Sequence, residues 1–113
     1  MTTEAARQRN LRLYGRGRIP RSHRRVMVAL LAADGLSGYP LSRLAQVSPG
    51  AVYAVLATLE NLAWVDQERR EAYASPVRFA YALNGKGRAS VTLLLGLPAE
   101  AARLAPEGTG DGD

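Results

Sequence analysis

Residues Ser48–Val65 read SPGAVYAVLATLENLAWV. This stretch opens like a helix. Ser48 has a hydroxyl able to accept from the free amides of a first turn, and Pro49 suits the first helical position, where its missing N–H costs nothing. Val52, Val55, Leu56, Leu59 and Leu62 then recur at steps of three and four. That spacing gathers them on one face of a helix running to about Ala63. The other face carries Gly50, Ala51, Tyr53, Ala54, Ala57, Thr58 and Asn61, and from Ser48 to Leu62 there is no Lys or Arg. The chain as a whole has a formal net charge of +5 and a sequence pI of about 10.2. Its most conspicuous helix is bare of the charge that the rest of the chain carries.

The neighbouring segments extend the pattern. In SHRRVMVALLAADG (Ser22–Gly35), Ser22 is placed to cap a helix, Val26, Leu30 and Leu31 form its apolar stripe, and Gly35 can stop it. SGYPLSRLAQV (Ser37–Val47) holds a short helix with Pro40 in its first turn and Leu41, Leu44 and Ala45 turned inward. After Leu62 the period changes. AWVDQERR (Ala63–Arg70) and PVRFAYAL (Pro76–Leu83) read as two strands, with the loop EAYASP (Glu71–Pro76) between them. In the second strand Val77, Phe79, Tyr81 and Leu83 alternate with Arg78, Ala80 and Ala82, a half-buried pattern. Asn84 caps a last helix, GKGRASVTLLLGL (Gly85–Leu97), which Pro98 ends. The order helix, helix, tight turn, helix, strand, strand, helix predicts a mainly α chain with a small β-hairpin. This is an α+β fold of winged helix-turn-helix type. No internal repeat interrupts it.

Length and composition bound what such a fold can do. The chain has 113 residues, enough for one domain with a modest core. There is no cysteine, which removes disulfides, thiolate metal sites and cysteine nucleophiles and fits a reducing cytoplasm. His23 is the only histidine, so a histidine metal cluster is not available, and the residue is expected exposed on its helix. Asp66, Glu68 and Glu71 make no recognisable catalytic pair, and Gly85-Lys86-Gly87 lacks the upstream glycines of a phosphate loop. No enzyme, cofactor or metal is therefore expected. The N-terminus is polar and Arg-rich without an apolar core, so no secretory signal is expected there. The longest apolar run is far short of the roughly 18 residues of a membrane span. A basic balance points to a polyanion, nucleic acid before membrane. Lys86 is the only Lys, so the cations are almost all Arg, which suits phosphate contacts and also reads as GC-rich codon bias.

The charge is unevenly spread. Arg7 to Arg25 holds eight arginines and no acid, whereas Glu100 to Asp113 holds four acids and one arginine among Gly and Pro. Residues 1–20 are expected to form a basic flexible arm, 21–97 the folded domain with its C-terminal helix, and 98–113 an acidic disordered tail.

At this point the residues resemble a known family. Gly38-Tyr39, the run Ser48-Pro49-Gly50-Ala51-Val52-Tyr53, the pair Leu59-Glu60 and the segment Tyr81-Ala82-Leu83-Asn84-Gly85-Lys86-Gly87 follow one another as in the PadR-like transcriptional regulators, over about Val26 to Leu95. Ala63 stands where that family usually has Gly, and Asn84 where it has Thr, which keeps a cap. A basic residue often found before Leu-Glu is absent, the N-terminal arm is atypical and the C-terminal part is short. ArsR-like and MarR-like regulators share the same fold and stay open. The resemblance implies a cytoplasmic, nucleoid-associated repressor that binds double-stranded DNA as a homodimer. Some members hold a small molecule against aromatic residues at the dimer cleft, which would make Trp64 a ligand platform and allow an inducer that nothing else in the sequence supports. From the residues alone Trp64 reads as a core or hairpin anchor.

Three surfaces are then candidates for DNA. On the third helix, small side chains would let the backbone sink toward base edges, with Gly50 clearing the way, Ala51 and Ala54 against thymine methyls, and Ser48, Tyr53 and Thr58 bonding to phosphates or bases. The alternative is a plain amphipathic core helix. YGRGRIPRSHRR (Tyr14–Arg25) resembles an AT-hook core, with Arg16 and Arg18 reaching a narrow minor groove and Arg21 beside them. The alternative is a solvated, nonspecifically basic tail. Arg69, Arg70 and Arg78 lie near the hairpin tip among acids, where phosphate contact and a solvated mixed-charge surface are both open. Arg43 on the second helix is a further phosphate anchor. Affinity would then come from arm and wing, and fit from the third helix. ASVTLLLGLPAEAARLA (Ala89–Ala105) carries Val91, Leu94, Leu95 and Leu97, more apolar than a surface helix needs, and is read as a dimerisation helix rather than one folded back on its own chain. Besides a repressor, two other classes fit: a low-specificity architectural or plasmid- and phage-maintenance protein, and a protein-interaction module that no longer binds DNA.

Overall fold

A computed structural model describes residues 4–14, 19–70 and 78–98 of the chain. Its elements are α1 (Glu4–Tyr14), α2 (Arg21–Ala32), β1 (Leu36–Ser37), α3 (Gly38–Ala45), α4 (Pro49–Asn61), β2 (Val65–Arg70), β3 (Arg78–Leu83) and α5 (Gly85–Leu94). Helices and a small three-stranded antiparallel sheet of order β1-β3-β2 share one core, so the fold is α+β. No described helix is long and apolar enough to cross a membrane.

α4 forms as its sequence dictates. The Ser48 hydroxyl accepts from the Ala51 amide at 3.2 Å, Pro49 opens the first turn, and Val52, Val55, Leu56 and Leu59 are buried together with Leu62. α2 lays Val26, Met27, Ala29 and Leu30 into the same core. It starts two residues earlier than a Ser22 cap would place it. Pro20, with its ring-fixed φ of −53°, holds the N-cap position, so Ser22 falls inside the first turn and makes no cap bond. In α3 the inward set is Gly38, Leu41, Ser42 and Ala45, and Leu44 is exposed instead of buried. Starting the helix at Gly38 sets that phase, and the buried Ser42 hydroxyl donates to the Tyr39 carbonyl at 2.8 Å.

The expected hairpin is present, with register from Val65↔Leu83 to Arg70↔Arg78. Tyr81 and Leu83 are buried as the alternation requires, but Phe79 is 42% exposed. It sits further along the hairpin from Leu83, the partner of Val65. Ala80 is buried too, because its strand is flanked by β1 and β2 at that point. Val77 lies outside the described residues. β1 has no counterpart in the sequence reading. Two residues are too few to show a period, and they are recruited by pairing, Leu36↔Tyr81 and Ser37↔Ala80, after Gly35 turns the chain at φ +76°.

Residues 4–14 correct the expectation of a flexible arm. They form α1, with Glu4 in the first turn and Arg12 in the last, complementing the helix dipole, and with Gln8 donating to the Glu4 carboxylate at 3.0 Å. Tyr14 ends it with only 2% of its surface exposed. Its ring stacks on Trp64 with centroids 6.0 Å apart, and its hydroxyl lies 2.7 Å from His23 Nδ1. His23 is thus partly buried rather than exposed. Burial pushes the Tyr14 phenol well up and the His23 imidazole down. The hydroxyl therefore stays protonated, and its bond with the imidazole takes the direction that the ring's tautomer sets.

α5 closes the core from the other side. The Asn84 side chain accepts from the Gly87 amide at 2.8 Å, which is the expected cap. Val91 is fully buried, and Leu94 and Leu95 pack partly against the core. Val91 is therefore used within the chain and is no partner surface, whereas Leu94 and Leu95 are only partly covered. Leu93, 81% exposed, and Leu97 keep their apolar surface outside. Between α4 and β2 the chain turns through Ala63 at φ +62°, a left-handed conformation that costs an L residue about 1 kcal/mol. Ala63→Gly should therefore raise the unfolding free energy by up to about 1 kcal/mol in urea titrations, reduced by the extra freedom glycine gains in the unfolded chain.

A pH dependence follows from His23. Its folded-state value lies below the ordinary 6.5, so the unfolded chain binds the proton more tightly. Stability from this group is fully present above about pH 6.5, falls as the pH drops through that value, and levels off below the lowered folded one. Urea midpoints measured between pH 8 and 4.5, as rough limits, should show that step, and His23→Gln should remove it.

Candidate nucleic-acid interface

The outward face of α4 is the surface to which the sequence assigns contact. Ser48, Gly50, Ala54 and Ala57 are exposed, Ala51 and Thr58 are partly buried, and Tyr53 is 50% exposed. One helix thus brings Gly50, Ala51, Tyr53, Ala54 and Thr58 together. Two of its hydroxyls are already used within the helix, since Ser48 caps the first turn and Thr58 Oγ1 donates to the Ala54 carbonyl at 3.3 Å.

The angle between α3 and α4 is fixed by a short turn. Gln46 takes the left-handed conformation at φ +60° and caps α3, and the Val47 amide bonds to the Ser42 carbonyl at 3.1 Å. From α2, Arg25 donates to the Gln46 carbonyl, also at 3.1 Å. Arg43 is exposed in the last turn of α3, and Arg21 is exposed at the start of α2. A cavity of about 360 Å³ lies between α2 and α3, lined by Arg24, Arg25, Val28, Leu44 and Gln46 among others.

The remaining predicted contacts are less closely gathered. Arg69 is exposed on β2. Arg70 and Arg78 face each other across the last described pair of the hairpin, and their side chains lie outside what is described. Arg16 and Arg18 also lie outside the described residues, as does the acidic segment 99–113. Among the described residues no group of three His, Asp or Glu side chains could hold a metal ion.

Sequence reasoning missed how α4 is coupled to its surroundings. The tip of the half-exposed Tyr53 ring occupies the space where Gly38 would carry a Cβ, so a side chain there would push that ring aside. On the sheet, Tyr81 has its phenol pushed up by burial, by the Glu60 carboxylate and by Tyr53, while a hydrogen bond with Gln67 works the other way. Gln67 is the cross-strand partner of Tyr81. The Gly-Tyr dipeptide was visible in the sequence, but its packing partner is set by tertiary geometry. Trp64 is buried as an anchor and forms part of a groove of about 270 Å³ with Leu11, Tyr14, Ser90, Leu93 and Leu94.

No protein-family model matches the chain, and no curated protein matches it.

Gly38→Ala should cost less than about 1 kcal/mol in urea unfolding, because the new methyl meets only the tip of the half-exposed Tyr53 ring, which can swing toward solvent. In a Tyr53→Ala background the same change should be close to neutral, and equal costs in both backgrounds would mean that the ring is not the source of the cost.

Proposed function

We propose that this chain is a sequence-specific DNA-binding transcriptional regulator of winged helix-turn-helix type. In this reading α3 and α4 are the helix-turn-helix, the β2–β3 hairpin is the wing, and α4 enters the major groove. It acts in the cytoplasm on nucleoid DNA as a homodimeric repressor, with the Arg-rich segment and the wing on the backbone or in the minor groove. The observation that carries the reading is the exposed face of α4, built of small side chains and held at a set angle by the Gln46 turn, in a chain of net charge +5. Small residues let a helix sit deep against base edges, and the arginines outside it supply the attraction to phosphate. The PadR-like order of motifs supports the same reading.

A second reading is favoured by one feature. α4 carries no cation, so base readout by arginine forks is not on offer. A low-specificity architectural or plasmid- and phage-maintenance protein would need none. Incubating the full chain with a random-sequence duplex library at near-physiological salt separates the two. An inverted repeat with half-sites about one helical turn apart identifies a dimeric regulator. Enrichment of AT-rich duplex without a fixed motif identifies the architectural protein, and no enrichment overturns both.

The salt dependence tests where the affinity resides. Each neutralised phosphate contributes about 0.9 to the slope of log K against log salt. Replacing Arg16 and Arg18 with Ala should weaken binding to all sequences and reduce the slope by about two. An unchanged slope would remove these two residues from the interface.

A further inference from the structure

Beyond recognition of a duplex, we infer that the aromatic residues around Gly38 form a stacking surface for the unpaired bases of a single-stranded nucleic acid. The described aromatic residues divide into two groups. Tyr14, Trp64 and Tyr81 are buried, whereas Tyr39, Tyr53 and Phe79 are 63%, 50% and 42% exposed. A large ring left in water forgoes the stabilisation of burial, and one such ring needs no explanation. Three gathered at one place do need one.

The fold gathers them from three elements. The tip of the Tyr53 ring, from α4, occupies the space beside Gly38 where a Cβ would stand. Tyr39 is the next residue along α3. Ser37, just before Gly38, pairs with Ala80 of β3. That antiparallel register, carried one step further, sets Phe79 level with Gly38.

Cations stand beside these rings. Arg43 follows Tyr39 by four residues on α3, one turn away on the same side, and both are exposed. Arg69, also exposed, is the cross-strand partner of Phe79 and shares its face of the sheet. Exposed rings with cations next to them, in a chain of net charge +5, complement a strand whose bases are flat and whose backbone is anionic. The Glu60 carboxylate is near enough to raise the Tyr81 phenol, so the phosphates are assigned to Arg43 and Arg69. An apolar protein surface has no counterpart for these cations.

A duplex shows a protein the edges of its bases, because their faces are stacked on one another. In an unpaired strand every base offers a face, whatever its identity, so this surface tolerates sequence. DNA and RNA strands share that chemistry.

The test titrates the full chain into labelled strands of about 16 nucleotides, the upper site size of a single-strand binding module. One is an unstructured thymine DNA strand, one its uracil RNA counterpart, and one an abasic strand of equal length and charge. The first two should bind and the abasic strand should bind far more weakly. Tyr39→Ala and, separately, Phe79→Ala should each weaken binding about fivefold or more, one stacked base apiece, with the salt slope unchanged. Phe79→Tyr should keep the affinity and Phe79→Leu lose it, because the ring and not the apolar area is used. Arg43→Ala should lower the salt slope by about 0.7, one phosphate of a single strand. Thermal melting checks that each variant is folded. Tight binding of either strand supports the assignment, and the ratio between them identifies its source. Equal binding of the abasic strand overturns stacking, and so does leucine serving as well as tyrosine at position 79. Failure of both strands to bind overturns it and leaves duplex recognition, read from the random library, standing. A homodimer that sedimentation shows to be lost with either ring assigns the surface to a second copy and overturns it as well.

Discussion

The close approach of α5 to the backbone of Trp64 is the contact on which the described fold depends. A Cβ at Gly87 would collide with the Trp64 carbonyl oxygen, so only glycine lets the first turn of α5 reach it. That carbonyl accepts from the Asn84 amide at 3.0 Å, and the Asn84 side chain donates to the carbonyl of Ala63 at 2.9 Å. The Trp64 amide in turn bonds to the Leu59 carbonyl at 3.0 Å, which ties the corner to the end of α4. On its ring face Trp64 receives Tyr14. Helices from both ends of the described chain and the first strand of the hairpin thus meet at one residue. Burial of an aromatic ring contributes strongly to such a junction, because its area is large and its shape specific.

The core helices were legible because their apolar residues are many and their caps conventional. α4 is the clearest case, with Ser48, Pro49 and five apolar positions all agreeing. The hairpin was legible from alternation, except where exposure depends on how far neighbouring elements extend, as at Phe79. β1 was not legible, since a two-residue strand exists only through its partner. α1 was hidden for a different reason. Its many arginines dominate the local composition and suggest a solvated arm, while a single aromatic residue at its end decides that it packs. His23 was misjudged with it, because its partner Tyr14 belonged to the segment taken as free.

The candidate interface divides in the same way. Which residues face outward on α4 could be read from the period, as Gly50, Ala54 and Ala57 show. What holds the helix in place could not, since Gly38 against Tyr53 and Arg25 on the Gln46 carbonyl are contacts across elements. They make α4 part of a frame with α2 and α3. A surface that contacts a stiff partner such as a duplex gains from such a frame, because little order has to be imposed on binding.

The burial of Tyr14 changes the meaning of the arginines that follow it. Ile19 packs against the core as well, so both ends of the intervening stretch are anchored. Arg16 is two residues from one anchor and Arg18 one residue from the other. Consecutive Cα atoms are about 3.8 Å apart, so the Cα of neither arginine can stray more than about 8 Å from its anchor. In the proposed DNA-binding reading, a duplex served by that segment would run close to the junction of α1 and α2, whose place relative to α4 is set by the shared core.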